Sequence, residues 1–202
     1  MAKNLYSLNY GSFVGLRKGY RGLRNKWRLK TFTKIISPER NDKILEIGCN
    51  DGVLLSHISQ FTNEVYGIDT NEEMVKKLNN NKIQTMSATD LKFDNEYFDK
   101  VYAFEVIEHI PEIKKVFLEV YRVLKPPGRF IFSFPFEFIR GETALIDAIA
   151  IYKNPFYARK LHIHKLSPQK IKELIHDIPF DIIKSFIKFI FSPSYIMILQ
   201  KV

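Results

Sequence analysis

The sequence has a single cysteine, no long apolar run and no G-x-G-x-x-G fingerprint, and each absence narrows the class of protein. Cys49 has no partner for an internal disulfide, which favours a reducing compartment. The most apolar stretch, residues 186–199, is broken by Lys188 and by Ser-Pro-Ser at 192–194. It is too short for a membrane span, which needs about 18 apolar residues. Because the first residues also lack an apolar signal-peptide core, we expect a cytoplasmic protein.

Acidic residues are scarce at the start of the chain. Residues 1–43 contain 11 basic and 2 acidic side chains, whereas residues 44–202 contain 20 of each. The whole net charge of +9 therefore lies within residues 1–43, and residues 44–202 are neutral overall. With 202 residues, 46% hydrophobic and 14% aromatic, the chain fits one globular domain with a substantial core.

Four arginines in the basic segment recur at helical spacing: Arg17, Arg21, Arg24 and Arg28. An apolar stripe runs beside them, so we predict that residues 1–39 form a basic helical segment with its apolar face on the domain. Guanidinium groups on one stripe suit a phosphate-bearing acceptor or an anionic membrane surface. The alternative is an ordinary solvated basic face, weakened as a helix by Gly19 and Gly22.

Residues 44–55, ILEIGCNDGVLL, predict a buried strand, a glycine-containing turn and a helix. Gly48 and Gly52 permit a sharp turn or the close approach of a ligand. A second strand, Glu64–Ile68, ends at Asp69, about 20 residues further on, where a carboxylate can accept hydrogen bonds from ribose hydroxyls. This arrangement is typical of a site for a nucleotide-like cofactor.

Further strand-like runs alternate with helical segments, which predicts an α/β fold with a parallel sheet. The remaining strands are predicted at Ile83–Ala88, Phe98–Phe104, Arg129–Phe134, 180–191 and 195–201, the last two as an antiparallel hairpin. Helices are predicted at Val53–Gln60, Asn71–Leu78, Pro111–Val123 and Pro168–His176.

Five motifs in order resemble the class I S-adenosylmethionine-dependent methyltransferases. They are EIGCNDG at 46–52, VYGIDTN at 65–71, ATDLKF at 88–93, FDKVYAFEVIEHI at 98–110 and VLKPPGRFIFSFP at 123–135. The chain is most similar to the type 11 subgroup, which methylates small molecules, lipids and sugars. The resemblance implies a Rossmann-like, doubly wound sheet of seven strands over residues 40–202, with an acceptor-side insert at 136–166.

One position departs from the family pattern, because Asn50 replaces the middle glycine of E-x-G-x-G-x-G. Asparagine tolerates positive φ, so we expect the turn to form. Similar EIGCNDG loops occur in sugar-modifying members, which favours that substrate class slightly.

The resemblance also implies where S-adenosylmethionine binds. The methionine and ribose portions are assigned to Glu46, Gly48, Cys49, Asn50 and Gly52. The ribose hydroxyls are assigned to Asp69 with Thr70 beside it. The adenine amino group is assigned to Asp90 and Leu91, and the sulfonium end to Phe104 and Glu105.

A general base is needed only if the acceptor must lose a proton, since the sulfonium is already an activated leaving group. The candidates are Glu105, His109, His162 and His164. His162 and His164 alternate with apolar residues, which predicts both imidazoles on one side as a base and its orienting partner. These two histidines could also bind a metal, but we expect none because no second ligand cluster is apparent in the sequence.

Other functions remain open from the sequence alone. The basic segment raises the alternative of an RNA or protein methyltransferase, although no RNA-binding module is recognisable and the rest of the chain is neutral. A catalytically inactive methyltransferase-fold binding protein is a third possibility, and a nicotinamide dehydrogenase a fourth. The absent G-x-G-x-x-G argues against the last.

Overall fold

The structure, a computed structural model, describes residues 18–137, 149, 153–157, 162–189 and 193–202, with the backbone alone for 18–25 and 189. Its centre is a seven-stranded sheet. The strands are β1 Lys43–Ile47, β2 Glu64–Asp69, β3 Ile83–Thr85, β4 Phe98–Phe104, β5 Leu124–Pro135, β6 Phe180–Phe189 and β7 Pro193–Lys201. Their order across the sheet is β3-β2-β1-β4-β5-β7-β6.

The pairing of the strands confirms the predicted Rossmann-like α/β fold. Strands β1 to β5 pair in parallel, and β7 runs antiparallel between β5 and β6. Several strand boundaries differ from the prediction, and the two largest differences are in the third and fifth strands. The third strand ends at Thr85, not Ala88, because its partner β2 ends at Asp69. The fifth begins at Leu124, which pairs with Phe98 ahead of a bulge.

Five helices cover the two faces of the sheet in the described residues. They are α1 Lys18–Ile36, α2 Val53–Ile58, α3 Glu72–Leu78, α4 Ile113–Val123 and α5 Pro168–Leu174, with 3-10 turns at Ile107–His109 and Pro155–Tyr157. The last four are each shorter than predicted at one end, by one or two residues. Within the described ranges, no helix combines the length and apolar character that would be needed to cross a bilayer.

Apolar side chains form a core on each face of the sheet. On one face α4 and α5 pack against the sheet, where the ring of Phe117 lies 5.6 Å from Phe130 and 5.4 Å from Phe132 in edge-to-face contacts. On the other face α1 and α2 enclose a second cluster that includes Ile44 and Ile58. Side chains of alternate strand residues enter these two cores in turn.

Helix α1 is attached to the sheet at its carboxyl end. The ring of Phe32 stacks on Phe104 at the end of β4, with centroids 3.9 Å apart and planes 14° apart. The ammonium of Lys100 donates to the Ser37 carbonyl at 2.6 Å and to Asp42 Oδ2 at 2.7 Å. The basic segment is therefore part of the domain from residue 32 onward.

Replacing Phe32 tests this attachment. We expect Phe32→Ala to lower the free energy of unfolding by about 3 to 5 kcal/mol, because the side chain is 4% exposed and the change leaves a cavity. Trp27→Ala is the control on the same helix. Trp27 is 46% exposed, so its loss should cost about 1 kcal/mol or less in urea denaturation. Equal losses in the two variants would contradict this attachment.

Candidate functional site

A cavity of about 360 Å³ opens at the carboxyl ends of the parallel strands. Its position follows from the strand order, which reverses direction between β1 and β4 and so opens a crevice there. Lining residues come from the ends of β1 and β2, the turn after β1, and the loops after β2, β3 and β4. The cavity thus lies beside the sequence motifs of the predicted cofactor site.

The turn after β1 adopts the conformation that its glycines allow. Gly48 has φ +74° and Gly52 has φ +66°. A Cβ at Gly48 would lie 2.6 Å from Val106 Cγ2, so a side chain there would collide with the loop after β4. Asn50 has φ +45°, which confirms the prediction that asparagine can replace glycine in this turn.

Asp69 joins the two loops that border the cavity. Its Oδ2 accepts a hydrogen bond from the amide of Asn50 at 2.9 Å, and its Oδ1 accepts one from the amide of Asn71 at 2.9 Å. Both bonds involve a charged acceptor, which makes them stronger than neutral ones. The carboxylate is therefore fixed at the cavity wall, next to Thr70.

The loop after β3 presents different residues from those predicted. Met86, Ser87, Ala88 and Thr89 line the cavity. Asp90 does not line it within the described part of the chain, because its carboxylate faces solvent and pairs with Lys92 Nζ at 2.6 Å.

Leu91 is also absent from the cavity wall among the residues described. It is buried in the core, and its amide donates to Glu119 Oε2 at 2.7 Å. The cavity is therefore lined on this side by residues 86–89, and the assignment of Asp90 and Leu91 to the adenine stays a prediction.

Other predicted cofactor residues lie on the opposite face of the sheet, under α1. Alternation along β1 points Glu46 away from the cavity, whereas Ile47 lines it. Phe104 stacks on Phe32. Cys49 is buried, and burial raises the pKa of its thiol far above its usual range, which excludes an activated nucleophile.

Of the predicted set, the cavity is lined by Gly48, Asn50, Asp69, Thr70 and Glu105, and not by Glu46, Cys49, Gly52 or Phe104 among the described residues.

The Glu46 carboxyl lies in an apolar environment. Burial raises its pKa to about 8, against the opposing effects of a 3.0 Å hydrogen bond from the Tyr102 hydroxyl and the charge of Arg28. Arg28 is half-buried, and its Nε has no hydrogen-bond partner among the described residues. Its guanidinium is close enough to Glu46 for its positive charge to lower the pKa of that carboxyl.

The predicted arginine stripe is only partly visible. Arg17 lies outside the described residues, as do the side chains of Arg21 and Arg24. Arg28 does not face solvent fully, because its side chain is half-buried and its charge lowers the pKa of Glu46. From residue 26 to the end of α1, the exposed basic side chains are those of Lys26, Lys30 and Lys34.

The segment after β4 begins with a strained residue. Glu105 has φ +55°, a left-handed conformation that non-glycine residues adopt at some energetic cost. Ser133 holds it there, since its hydroxyl donates to Glu105 Oε1 at 2.7 Å and its carbonyl accepts from the Glu105 amide at 3.2 Å. Glu105 and His109 both line the cavity, and burial raises the pKa of the Glu105 carboxyl.

The structure pairs the histidines differently from the prediction. His162 is buried, and its Nδ1 lies 2.7 Å from Glu137 Oε1, while its ring centroid lies 4.9 Å from that of His109. His164 turns to backbone carbonyls, with Nε2 2.9 Å from the Ile110 oxygen. The expected pair of His162 with His164 is therefore replaced by His162 with Glu137 and His109.

A buried carboxylate that sequence reasoning missed lies beside these groups. Glu108 is 1% exposed, and its backbone carbonyl accepts from the amides of Ile163 at 3.1 Å and His164 at 3.2 Å. These bonds bring the 162–164 segment against the turn after β4. The available signal was the Glu-x-x-Glu-His spacing of 105–109, which places two carboxylates and an imidazole in one turn.

The strand order, the glycine turn and the fixed carboxylate of Asp69 define a Rossmann-like protein with a nucleotide-type crevice. Residues 45–132 match the family described as "Methyltransferase domain". Over these residues the chain is similar to the class I S-adenosylmethionine-dependent methyltransferases, as its motifs predicted.

Individual relatives agree with this assignment. The sterol 24-C-methyltransferase of Kluyveromyces lactis is 35% identical over 103 residues, which cover 46% of this chain and 28% of that protein. The YcgJ protein of Bacillus subtilis has the same fold at a TM-score of 0.66, with 16% identity over 87% of this chain and 98% of that one. Magnesium protoporphyrin IX methyltransferase of Synechocystis, solved with bound SAM, gives a TM-score of 0.63 and 17% identity over 89% and 81%.

The sequence similarity is confined to part of each curated relative. The chain spans between 26 and 39% of the length of the sterol methyltransferases that it matches. The match with the Kluyveromyces protein is about as long as the family match, which contains the cofactor motifs.

The raised pKa of Glu46 predicts how stability depends on pH. Between about pH 5 and pH 8 the folded protein keeps this carboxyl protonated, whereas the unfolded chain, with a pKa near 4.5, has lost the proton. The stability that Glu46 contributes is therefore lost as pH rises through this range, at up to about 1.4 kcal/mol per pH unit.

Glu46→Gln should remove that contribution and flatten the decline, measured by urea denaturation at intervals of pH. Glu105 and Glu108 also have raised pKa values, so part of the slope should remain. Glu72→Gln is the control, because Lys76 lowers the pKa of Glu72 out of this range. An unchanged slope in Glu46→Gln would contradict the assignment.

Proposed function

We propose that this chain is an S-adenosylmethionine-dependent methyltransferase that acts on a lipid or another small-molecule acceptor. The strongest support is that the family match and the cavity-lining residues occupy nearly the same stretch of the sequence. The methyltransferase family match spans residues 45–132, and the residues that line the cavity fall between 47 and 112. The match to the family named for methyl transfer therefore covers nearly all of the sequence that builds the crevice.

The cavity has features that suit this cofactor. Asp69 offers a fixed carboxylate for ribose hydroxyls, and the backbone of Gly48 lines the cavity beside it. Met86, Ala88 and Ile110 offer apolar contacts for a base, with Ser87 and Thr89 as polar neighbours. The volume of about 360 Å³ lies in the range of small-molecule sites.

When bound, the cofactor supplies a methyl group on a sulfonium, so the protein needs chiefly to position the acceptor and to exclude water. The residues after β4 are placed for this work. Glu105 and His109 line the cavity, and the ring of His109 lies 4.9 Å from that of His162, whose partner Glu137 stands at the start of the predicted acceptor-side insert. Glu46 and Phe104 lie on the opposite face of the sheet, against Tyr102 and Phe32 respectively, and are not among the described residues that line the cavity.

The acceptor class follows from the relatives. Sterol methyltransferases are named for a lipid acceptor, and we extend to this chain only that coarse class. Residues 138–148, 150–152 and 158–161 of the predicted acceptor-side insert lie outside the described residues. Their sequence is apolar and aromatic enough to contact such an acceptor. The RNA, protein and non-catalytic alternatives gain no specific support from the described residues.

Asp69→Ala tests the cofactor assignment. We expect calorimetric titration of S-adenosylmethionine to give saturable binding to the wild type and at least about tenfold weaker binding to the variant, because a hydrogen bond to a charged group is lost. Asp181→Ala, which changes an exposed carboxylate on β6, is the control and should bind as the wild type does.

Far-UV circular dichroism establishes that each variant is folded. No binding to the folded wild type would overturn the proposed function, and equal affinity in Asp69→Ala would overturn the role of Asp69 alone.

We further propose that the protein works in the cytoplasm and docks peripherally on anionic membranes through α1. Lys26, Lys30 and Lys34 form an exposed stripe at spacings of four residues, and Trp27, 46% exposed, lies beside it. Lysines beside an interfacial tryptophan suit the headgroup region of a bilayer. This surface replaces the arginine stripe as the basis of the membrane hypothesis.

Reversing the charge of this stripe tests the docking. The triple variant Lys26→Glu, Lys30→Glu, Lys34→Glu should bind phosphatidylserine vesicles at least about a hundredfold more weakly in sedimentation, since each lysine contributes about 1 kcal/mol at such a surface. Lys165→Glu, Lys170→Glu, Lys172→Glu makes the same charge change at exposed sites in and near α5. Equal losses in both variants would indicate only a general effect of charge.

A further inference from the structure

Two imidazoles and a carboxylate meet behind the wall of the cavity. Ligand atoms of Glu108, His109 and His162 all lie within 4.8 Å of one another. His109 also lines the cavity, so the cluster adjoins it. Two histidines with one glutamate form the usual ligand set of a catalytic zinc site, which keeps a further position open.

The Glu108 carboxylate is the second observation that points to a ligand. It is 1% exposed, and neither oxygen has a hydrogen-bond partner among the described residues. His109 Nε2 lies 3.7 Å from Oε1, too far for a hydrogen bond. A buried carboxylate left in this way costs several kcal/mol unless a cation or a proton compensates it.

Other negative groups add to the field at this point. Glu137 is 8% exposed, and its Oε1 lies 2.7 Å from His162 Nδ1. Two buried carboxyls, those of Glu108 and Glu137, therefore lie against the two imidazoles. Buried charges of this kind are usually paired or coordinate a metal.

His162 has the orientation of a metal ligand. Its Nδ1 lies 2.7 Å from Glu137 Oε1, and donation of the Nδ1 proton to that carboxylate leaves the Nε2 lone pair for an ion. A carboxylate behind a ligating histidine is the usual arrangement, because it fixes the ring and increases its basicity.

The backbone holds these parts together. The amides of Ile163 and His164 donate to the Glu108 carbonyl, and His164 Nε2 bonds to the Ile110 carbonyl. His164 is thus a positioning residue, which brings His162 to the turn that carries Glu108 and His109. The expectation of no metal depended on the absence of a second ligand cluster, and the fold supplies that cluster.

We propose that Glu108, His109 and His162 bind a divalent transition-metal ion such as Zn²⁺, with Glu137 orienting His162. The role of the ion in catalysis rests on the proposed function, whereas its binding does not. A divalent ion beside the cavity lowers the pKa of a nearby hydroxyl, which favours an acceptor that is methylated on oxygen.

Methyl transfer to such an oxygen needs only the cofactor and the acceptor. The acceptor oxygen forms a bond to the methyl carbon while the carbon–sulfur bond breaks and its electron pair stays on sulfur. The hydroxyl proton passes to the Glu105 carboxylate at the cavity wall and from there to solvent.

The test measures metal binding directly, without cofactor or acceptor. Chelator-treated full-length protein is titrated with Zn²⁺ by calorimetry and with Co²⁺ by visible absorption, whose ligand-field bands report coordination. We expect one ion per chain, with affinity at least about a hundredfold weaker in His162→Ala and in Glu108→Gln, and about 10- to 100-fold weaker in Glu137→Gln. His176→Ala, at an exposed histidine, should bind as the wild type does.

Weaker metal binding in Glu108→Gln cannot be ascribed to unfolding. Removing a buried charge should leave the metal-free protein at least as stable as the wild type. Zn²⁺ should also raise the melting temperature of the wild type but not of this variant. No binding by the wild type, or equal affinity in His162→Ala and His176→Ala, would overturn the proposed site. Loss of S-adenosylmethionine binding with metal binding retained would overturn the proposed function only.

Discussion

The site depends on one carboxylate with two backbone partners. Asp69 ends β2 and accepts the amides of Asn50 and Asn71, so the turn after β1 and the turn into α3 are held at one point. Strand pairing alone would not fix these loops, since Ile47 and Ile68 form the last pair between β1 and β2. The turn after β1 is therefore tied to the end of β2 by a charge-assisted contact between residues 19 positions apart.

Much of this arrangement was predictable because its signals are local. The buried run before Gly48 and the acid that follows the second strand each depend on a few adjacent residues, and the structure confirms the sheet that they predicted. Asn50 was predictable for the same reason, since its positive φ is a property of one residue type in one turn.

The predictions were wrong where the outcome depends on which face of a strand a side chain occupies, or on contacts between residues far apart in the chain. The face on which Glu46 lies depends on the pleat of β1, and the position of Asp90 depends on where β3 loses its partner. The environment of His162 depends on Glu108 and Glu137, which are 54 and 25 residues away in the chain. Alternation of His162 with His164 carries no information about such neighbours.

The contact between Glu137 and His162 also has a consequence for evolution. It joins the two ends of the 138–161 segment at a separation of 2.7 Å, so that segment is a closed loop in which insertions cost little additional entropy. Its length and sequence can therefore diverge rapidly while the groups at its base stay in register. A chain of this kind can acquire new acceptors by exchanging one loop, without rebuilding the crevice beneath it.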